Sequence, residues 1–261
     1  MSRRLIAYLV FAFAISGSAW GGLAGLPGGI IGYGSPLRMA LYFLGGLGPT
    51  IAAYLAVLAT RDQAPLSEFH LRLLRWRVPP AWYAFAFGMP VLVGTISAAA
   101  AAYADPQYLA SVHLRPWYAV VPVFFVMVLG GGLEELGWRG VAQPEAERRV
   151  PPLTAALFVG LVWALWHLPL FFIPGAPQYV WNYPVFAAGV MGHALLLAWL
   201  YGRTRSILLC VIFHASSNAM WAMGFGASRD MELRTIIGAI VGLALGSVLL
   251  LVSRGPGRSS T

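Results

Sequence analysis

Two adjacent glutamates stand within an apolar stretch of this sequence, in Glu134-Glu135-Leu136-Gly137-Trp138-Arg139-Gly140. Glu135 and Arg139 are four residues apart, so on a helix they share one face and can pair. Glu134 has no basic residue four positions further on, and it points about 100° away from that pair. The pattern predicts one neutralised acid beside one free carboxylate, which could act as a general base. A solvated loop that carries all three charges is the alternative interpretation.

Histidines and an amide follow within later apolar runs. His167 lies in Trp163-Ala164-Leu165-Trp166-His167, and His214 and Asn218 are four residues apart on one helix face. A single polar residue in such a run often serves helix packing through a hydrogen bond, and we expect a packing or indirect role for His193. Taken together, a carboxylate, two imidazoles and a carboxamide are the groups of a hydrolytic site.

The depths of these groups favour the site over packing. If the chain turns near Val150, Glu134 and His167 lie at nearly equal sequence distances from the turn, roughly 25 Å along straight helices. Asn218 lies roughly 20 Å along its own helix by the same measure. Residues that serve packing alone would have no reason to match in depth. We therefore expect one buried polar site, provided that glycines do not break the first helix.

The composition indicates a membrane protein. Of the 261 residues, 59% are hydrophobic and 10% are charged, whereas soluble domains carry about 25% charged residues. Several apolar runs approach the roughly 20 residues that a helix needs to span a bilayer. The sequence thus predicts an all-α polytopic bundle of about eight transmembrane helices. The predicted runs are 5–24, 39–59, 81–104, 118–145, 153–173, 184–201, 206–225 and 235–253.

The basic residues predict the orientation. With both termini inside the cell, all but four of the 17 basic residues fall on the cytoplasmic side, which is the usual bias of membrane proteins. The arginines stand singly or in small groups between apolar runs, so the net charge of +8 does not indicate nucleic-acid binding. The amphipathic segment 61–80 is expected to lie along the membrane surface. The four exceptions are Arg38, Arg115, Arg229 and Arg234.

We expect a single integral membrane domain with three parts. Residues 1–116 hold the N-terminal helices and the amphipathic segment, 117–225 the catalytic helical core, and 226–261 the last helix and a tail. The one cysteine, Cys210, excludes an internal disulfide and a cysteine-based zinc site. The expected location is a bacterial plasma membrane, with the polar cavity open to the cytoplasmic side.

The three motifs, in this order, resemble those of the CPBP family. These are the CAAX-protease and bacteriocin-processing proteins, also called Abi proteins or type II CAAX prenyl endopeptidases. The resemblance covers roughly residues 120–222, and Trp163 is a conservative departure because many members have phenylalanine there. The matching motifs are Glu134-Glu135-x-x-x-Arg139, Trp163-x-x-x-His167 and His214-x-x-x-Asn218, with support from Gly137-Trp138-Arg139-Gly140 and Trp199-Leu200-Tyr201-Gly202-Arg203-Thr204.

The resemblance implies an intramembrane endopeptidase that acts on a membrane-associated substrate, such as a prenylated protein or a leader peptide. It implies that the first motif's leading glutamate and the second motif's histidine activate water. The last motif's histidine and asparagine would stabilise the oxyanion. Carried over by motif, the catalytic residues are Glu134, His167, His214 and Asn218, with Glu135 and Arg139 in support.

Other interpretations stay open. Zinc could be held by Glu134, His167 and His214 with one position open. The sequence lacks a His-Glu-x-x-His pair, and an amide suits an oxyanion better than zinc, so we expect no cofactor. A non-enzymatic immunity or scaffold protein of the same fold would not need all four polar groups. A transporter would place polar residues in both halves of the chain, whereas here they lie in the second half.

Overall fold

The computed structural model describes residues 1–30, 35–60, 65–105, 107–108, 114–225 and 231–252. Arg229 and the tail from residue 253 therefore lie outside the described residues. Within these ranges the regular structure is helical, with no β-strand, which confirms the predicted all-α class. The helices are α1 (Arg3–Ala24), α2 (Pro36–Gly46), α3 (Gly48–Ala59), α4 (Leu66–Leu73), α5 (Pro80–Ala104), α6 (Val120–Leu129), α7 (Gln143–Glu147), α8 (Pro152–His167), α9 (Tyr183–Thr204), α10 (Ile207–Met220) and α11 (Met231–Val252).

The described helices include six segments that are long and apolar enough to cross a membrane. Helices α2 and α3 are bent by 52° at their junction and count as a seventh span if the pair is one unit. The eighth predicted run corresponds to a shorter apolar helix over Ile207–Met223. The polytopic bundle is thus confirmed, with one span bent and one short. The six segments are Arg3–Ala24, Pro80–Ala104, Trp117–Glu147, Pro152–Phe172, Tyr183–Thr204 and Leu233–Val252.

A tight connection between α9 and α10 fixes the register of the helix that carries the last motif. Helix α9 ends at Thr204, and the residue that caps it, Arg205, has a left-handed φ of 53° that turns the chain sharply. Ser206 then caps α10, because its Oγ accepts a hydrogen bond from the Leu209 N–H at 3.2 Å. The same hydroxyl donates to the Arg75 carbonyl at 2.7 Å. The start of α10 is therefore tied to the segment that precedes α5.

The fourth predicted span is a broken helix. The sequence predicted a straight helix that a glycine could interrupt at position 137 or 140, but α6 already ends at Leu129, before the two acids. In lipid, irregular backbone is tolerated only where protein covers it, and residues 134–142 are all buried. The irregular turns are a 3-10 turn at Gly132–Glu134, one α-turn at Glu135–Gly137 and a π-turn at Trp138–Ala142.

Helices α9 and α11 approach each other closely at Gly192. A Cβ atom added there would lie 3.0 Å from the Leu243 nitrogen and 3.2 Å from the Ala239 carbonyl oxygen. Both are backbone atoms, so they cannot move aside as a flexible side chain would. Small residues permit such close helix contacts in membrane proteins.

Gly192→Ala should force α9 and α11 apart and lower the free energy of unfolding by about 1–3 kcal/mol. The thermal unfolding midpoint of the solubilised protein should fall by about 2–4 °C for each kcal/mol lost. Gly17→Ala in α1 is the matched control, because nothing lies within 4 Å of its added Cβ. Equal midpoints for Gly192→Ala and the unchanged protein would contradict this close approach.

Candidate active site

Glu135 is the charged centre of the polar cluster. Its side chain is fully buried, and its Oε2 lies 2.9 Å from Arg139 Nη1, so the ion pair expected from the spacing is present. Its Oε1 lies 2.8 Å from His214 Nδ1. No local spacing predicts this second contact, because the two residues are 79 positions apart. Glu135 thus joins the broken span to α10.

These contacts decide which nitrogen of His214 carries a proton. A carboxylate paired with arginine accepts hydrogen bonds and donates none, so the Nδ1–H of His214 donates to Glu135. The other ring nitrogen, Nε2, faces Gly131 and lies 3.0 Å from the position of a Cβ there. Gly131 has a φ of 155°, and an added Cβ would also collide with Asn218. His214 and Asn218 therefore converge on the break after α6, where only glycine fits.

Arg139 is held by three different groups. In addition to Glu135, its Nη2 donates to the Ala194 carbonyl at 3.1 Å, and its guanidinium lies 5.0 Å from the centre of the Trp163 ring. An isolated buried cation costs several kcal/mol. The carboxylate, the carbonyl and the aromatic face together offset that cost. Through Ala194, the arginine also ties the site to α9.

Trp163 connects the remaining predicted catalytic groups. Its indole Nε1–H donates to Glu134 Oε2 at 2.8 Å, and its carbonyl oxygen lies 2.9 Å from His167 Nδ1. Since a carbonyl only accepts, His167 carries its proton on Nδ1, and Nε2 of the neutral ring is an acceptor. Glu134 and His167 are linked through Trp163, with no direct hydrogen bond between them in the described part of the chain. In the sequence, Trp163 was notable only because many family members have phenylalanine there, and its hydrogen bond to Glu134 was not predicted.

The two adjacent acids have different surroundings. Glu134 is 7% exposed and, among the described residues, has no arginine or lysine as an ion-pair partner. Glu135 has Arg139 at 2.9 Å. The neutralised acid and the free acid that the motif predicts are therefore distinguishable in the structure.

A third imidazole, His193, lies beside this cluster. Its ring centre is 5.2 Å from that of His214 and 5.7 Å from that of Trp163. Its Nε2 is buried and has no hydrogen-bond partner. The contact with His214 is a ring contact, as in packing, so this geometry adds no hydrogen bond to the site.

The described residues contain no group of three His, Cys, Asp or Glu side chains placed to hold a metal ion. Trp163 occupies one oxygen of Glu134, and hydrogen bonds occupy Nδ1 of both His167 and His214. These hydrogen bonds do not involve Nε2 of either histidine, so the expectation that Glu134, His167 and His214 hold no zinc stays a prediction. We derive no catalytic step through a metal.

The sequence of the region that holds the cluster is similar to a known family. Residues 116–220 match the family described as Type II CAAX prenyl endopeptidase Rce1-like. This match supports the resemblance of this part of the chain to the CPBP family of CAAX proteases. All three motifs lie inside the matched CAAX-protease region, whereas α1 to α5 and α11 lie outside it.

A curated CAAX protease gives the same indication. The chain is similar to "CAAX prenyl protease 2" of Methanococcus maripaludis, with 35% identity over 101 residues. That alignment covers 36% of this chain and 37% of the relative. The chain thus spans little more than a third of the length of the curated relative that it matches.

Trp163→Phe should preserve the ring contacts and remove the indole donor to Glu134. A buried acceptor left without its partner costs about 1–3 kcal/mol, so the thermal midpoint should fall while the helical content stays unchanged. Trp117→Phe is the control, because that ring is 83% exposed and its loss should not alter the midpoint. If both variants unfold at the same temperature, the hydrogen bond to Glu134 does not contribute to stability.

Proposed function

We propose that the protein is an intramembrane endopeptidase of the CAAX-protease type that uses no catalytic metal. The observation that carries this proposal is the surroundings of Trp163. A carboxylate without a cationic partner, Glu134, and a neutral imidazole, His167, both bond to this residue. The family of residues 116–220 supports a peptidase.

The first step in this mechanism is the attack of water on the scissile carbonyl carbon. The oxygen of water forms the new C–O bond, and one of its protons passes to Glu134 as the general base. His167 orients the water by accepting a hydrogen bond at Nε2. The carbonyl π electrons move to oxygen, and a tetrahedral oxyanion forms.

His214 and Asn218 stabilise this oxyanion. The amide Nδ2 of Asn218 is a donor, and it already lies 3.5 Å from the Gly130 carbonyl oxygen. For His214 to donate from Nε2, both ring nitrogens must carry a proton, and Glu135 Oε1 accepts the hydrogen bond from Nδ1–H. Fixed donors are most effective where water is excluded, because the local dielectric constant is low.

In the second step the C–N bond breaks. The proton held by Glu134 passes to the leaving nitrogen, which departs as an amine, and the oxyanion collapses to a carboxylic acid. Glu134 returns to the carboxylate form. One water is consumed for each peptide bond that is cut, and no other reactant is needed.

The substrate that we propose is a membrane-anchored peptide, prenylated near its cleaved bond. The family description refers to prenyl endopeptidases and the relative's name to a prenyl protease. The apolar helices support a membrane location. The distribution of arginines supports a cavity that opens on the cytoplasmic side, and a bacterial plasma membrane stays a prediction.

Glu134→Gln should lower the cleavage rate of a membrane-anchored fluorogenic peptide by about 10²–10⁴-fold, because an amide cannot accept the proton of water. His167→Ala should act in the same direction. Glu147→Gln is the matched control: it lies in the same broken span, and its ion pair with Arg205 is long, at 3.9 Å. Thermal midpoints verify that each variant is folded. A Glu134→Gln protein that cuts at the unchanged rate would rule out Glu134 as the base.

The metal-free mechanism predicts that chelation leaves the cleavage rate unchanged. Purified protein is incubated with 1,10-phenanthroline, its bound zinc is measured, and its rate is compared with that of untreated protein. We expect far less than one zinc per chain and equal rates. Activity that is lost on chelation and restored by added zinc would instead support a zinc-dependent peptidase.

A further inference from the structure

The segment that begins with α4 carries a mixed apolar and basic patch on its outer side. The side chains of Leu71, Leu74 and Trp76 are 73%, 69% and 59% exposed. Arg75 and Arg77 are exposed beside them, and the Arg77 guanidinium lies 4.9 Å from the centre of the Trp76 ring. We call these five residues the α4 patch.

The α4 patch lies at an end of the bundle and not at its middle. Its segment follows α3 and precedes α5, so it stands where two helices that run through the bundle end and begin. It is also tied to the connection between α9 and α10, through Ser206 Oγ and the Arg75 carbonyl at 2.7 Å. Further exposed arginines on the described segments that end here are Arg148, Arg149, Arg203 and Arg205.

The chemistry of the patch fits the surface of a negatively charged bilayer. Leucine and tryptophan side chains enter the boundary between headgroups and acyl chains, while arginines bind phosphate groups. Arg75 and Arg77 form no ion pair with any carboxylate of the described residues. A bilayer of neutral net charge would not balance the positive charges of Arg75 and Arg77. A second protein is less favoured, because the patch adjoins helices suited to lipid.

We propose that the α4 patch binds the surface of an anionic phospholipid bilayer and thereby braces the broken helix behind it.

The inner side of α4 contacts the segment that holds the site. Phe69 is 1% exposed, and Arg72 Nη1 donates to the Gly140 carbonyl oxygen at 3.1 Å. In a regular α-helix the donor to that carbonyl would be the amide of residue 144, but Pro144 has no N–H. Arg72 therefore supplies a hydrogen bond next to Arg139. A bilayer that holds the outer side of α4 would hold this contact as well.

The lipid preference is measured with a fluorescent probe in nanodiscs. A bimane label is attached through Leu71→Cys, where the only native cysteine, Cys210, is buried. Quenching by brominated phosphatidylglycerol is compared with quenching by brominated phosphatidylcholine at equal bromolipid content. We expect at least about twofold stronger quenching by the anionic lipid, because each arginine near the surface favours it.

Matched variants test whether the patch causes this preference. Arg75→Gln combined with Arg77→Gln should abolish it, whereas Arg115→Gln, an exposed arginine outside the patch, should retain it. Equal quenching by both lipids in the otherwise unchanged protein would overturn the proposal. A preference that survives the double substitution would overturn the patch as its origin.

Hydrogen exchange tests the bracing. Amides of residues 138–142 should exchange several-fold more slowly in nanodiscs with phosphatidylglycerol than in pure phosphatidylcholine. The double variant should show no such difference, and Arg115→Gln should show all of it. A lipid preference without any change in exchange would overturn the bracing. Neither measurement requires peptidase activity, so failure of the proposed function would leave both results interpretable.

Discussion

A buried carboxylate on the broken span connects three parts of the bundle. Glu135 and Arg139 both have side chains that are 0% exposed, in a protein whose outer helices suit lipid. Neither charge could be left alone there, since removing one partner of a buried pair costs about 3–5 kcal/mol. The second oxygen contact of Glu135, with His214, extends the pair to α10. The bond from Arg139 to Ala194 extends it to α9.

The irregular backbone of the fourth span serves this arrangement. Glu134 faces α8 through Trp163, while Glu135 faces α10 through His214. Glu134 is the last residue of the 3-10 turn and Glu135 the first of the α-turn that precedes the π-turn, and π-turns are frequent at functional sites. Because the whole stretch 134–142 is buried, its irregular backbone is shielded from lipid. The two adjacent acids and the departure from regular helix thus occupy the same few residues.

Local spacing predicted the contacts that are local. The pair of Glu135 and Arg139 follows from an i, i+4 relation on one helix, and the apolar runs predicted the helices. The contact of Glu135 with His214 depends on how two distant helices pack, which no spacing within either motif encodes. The same holds for Trp163 on α8, whose indole N–H donates to Glu134 on the broken span.

The position of the helix break could not be predicted from the sequence either. Glycines occur at 130, 131, 132, 137 and 140, and each is equally able to interrupt a helix. What distinguishes Gly131 among the five is its backbone, whose φ of 155° is a conformation that residues with a side chain rarely adopt. The depth estimate assumed a straight helix, so it could indicate a shared level but not the contacts. The catalytic roles of these residues stay hypotheses until variants are measured.

The contacts of Glu135 determine whether it could replace the adjacent Glu134. Its Oε1 lies 2.8 Å from His214 Nδ1 and 3.2 Å from Arg139 Nη1, and its Oε2 lies 2.9 Å from the same Nη1, so the negative charge of Glu135 is already paired with a buried cation. Glu134 and Glu135 are adjacent and chemically identical, yet their contacts make them unequal. In the proposed mechanism, a chain that loses Glu134 retains an acid one residue away that is already paired and cannot act in its place.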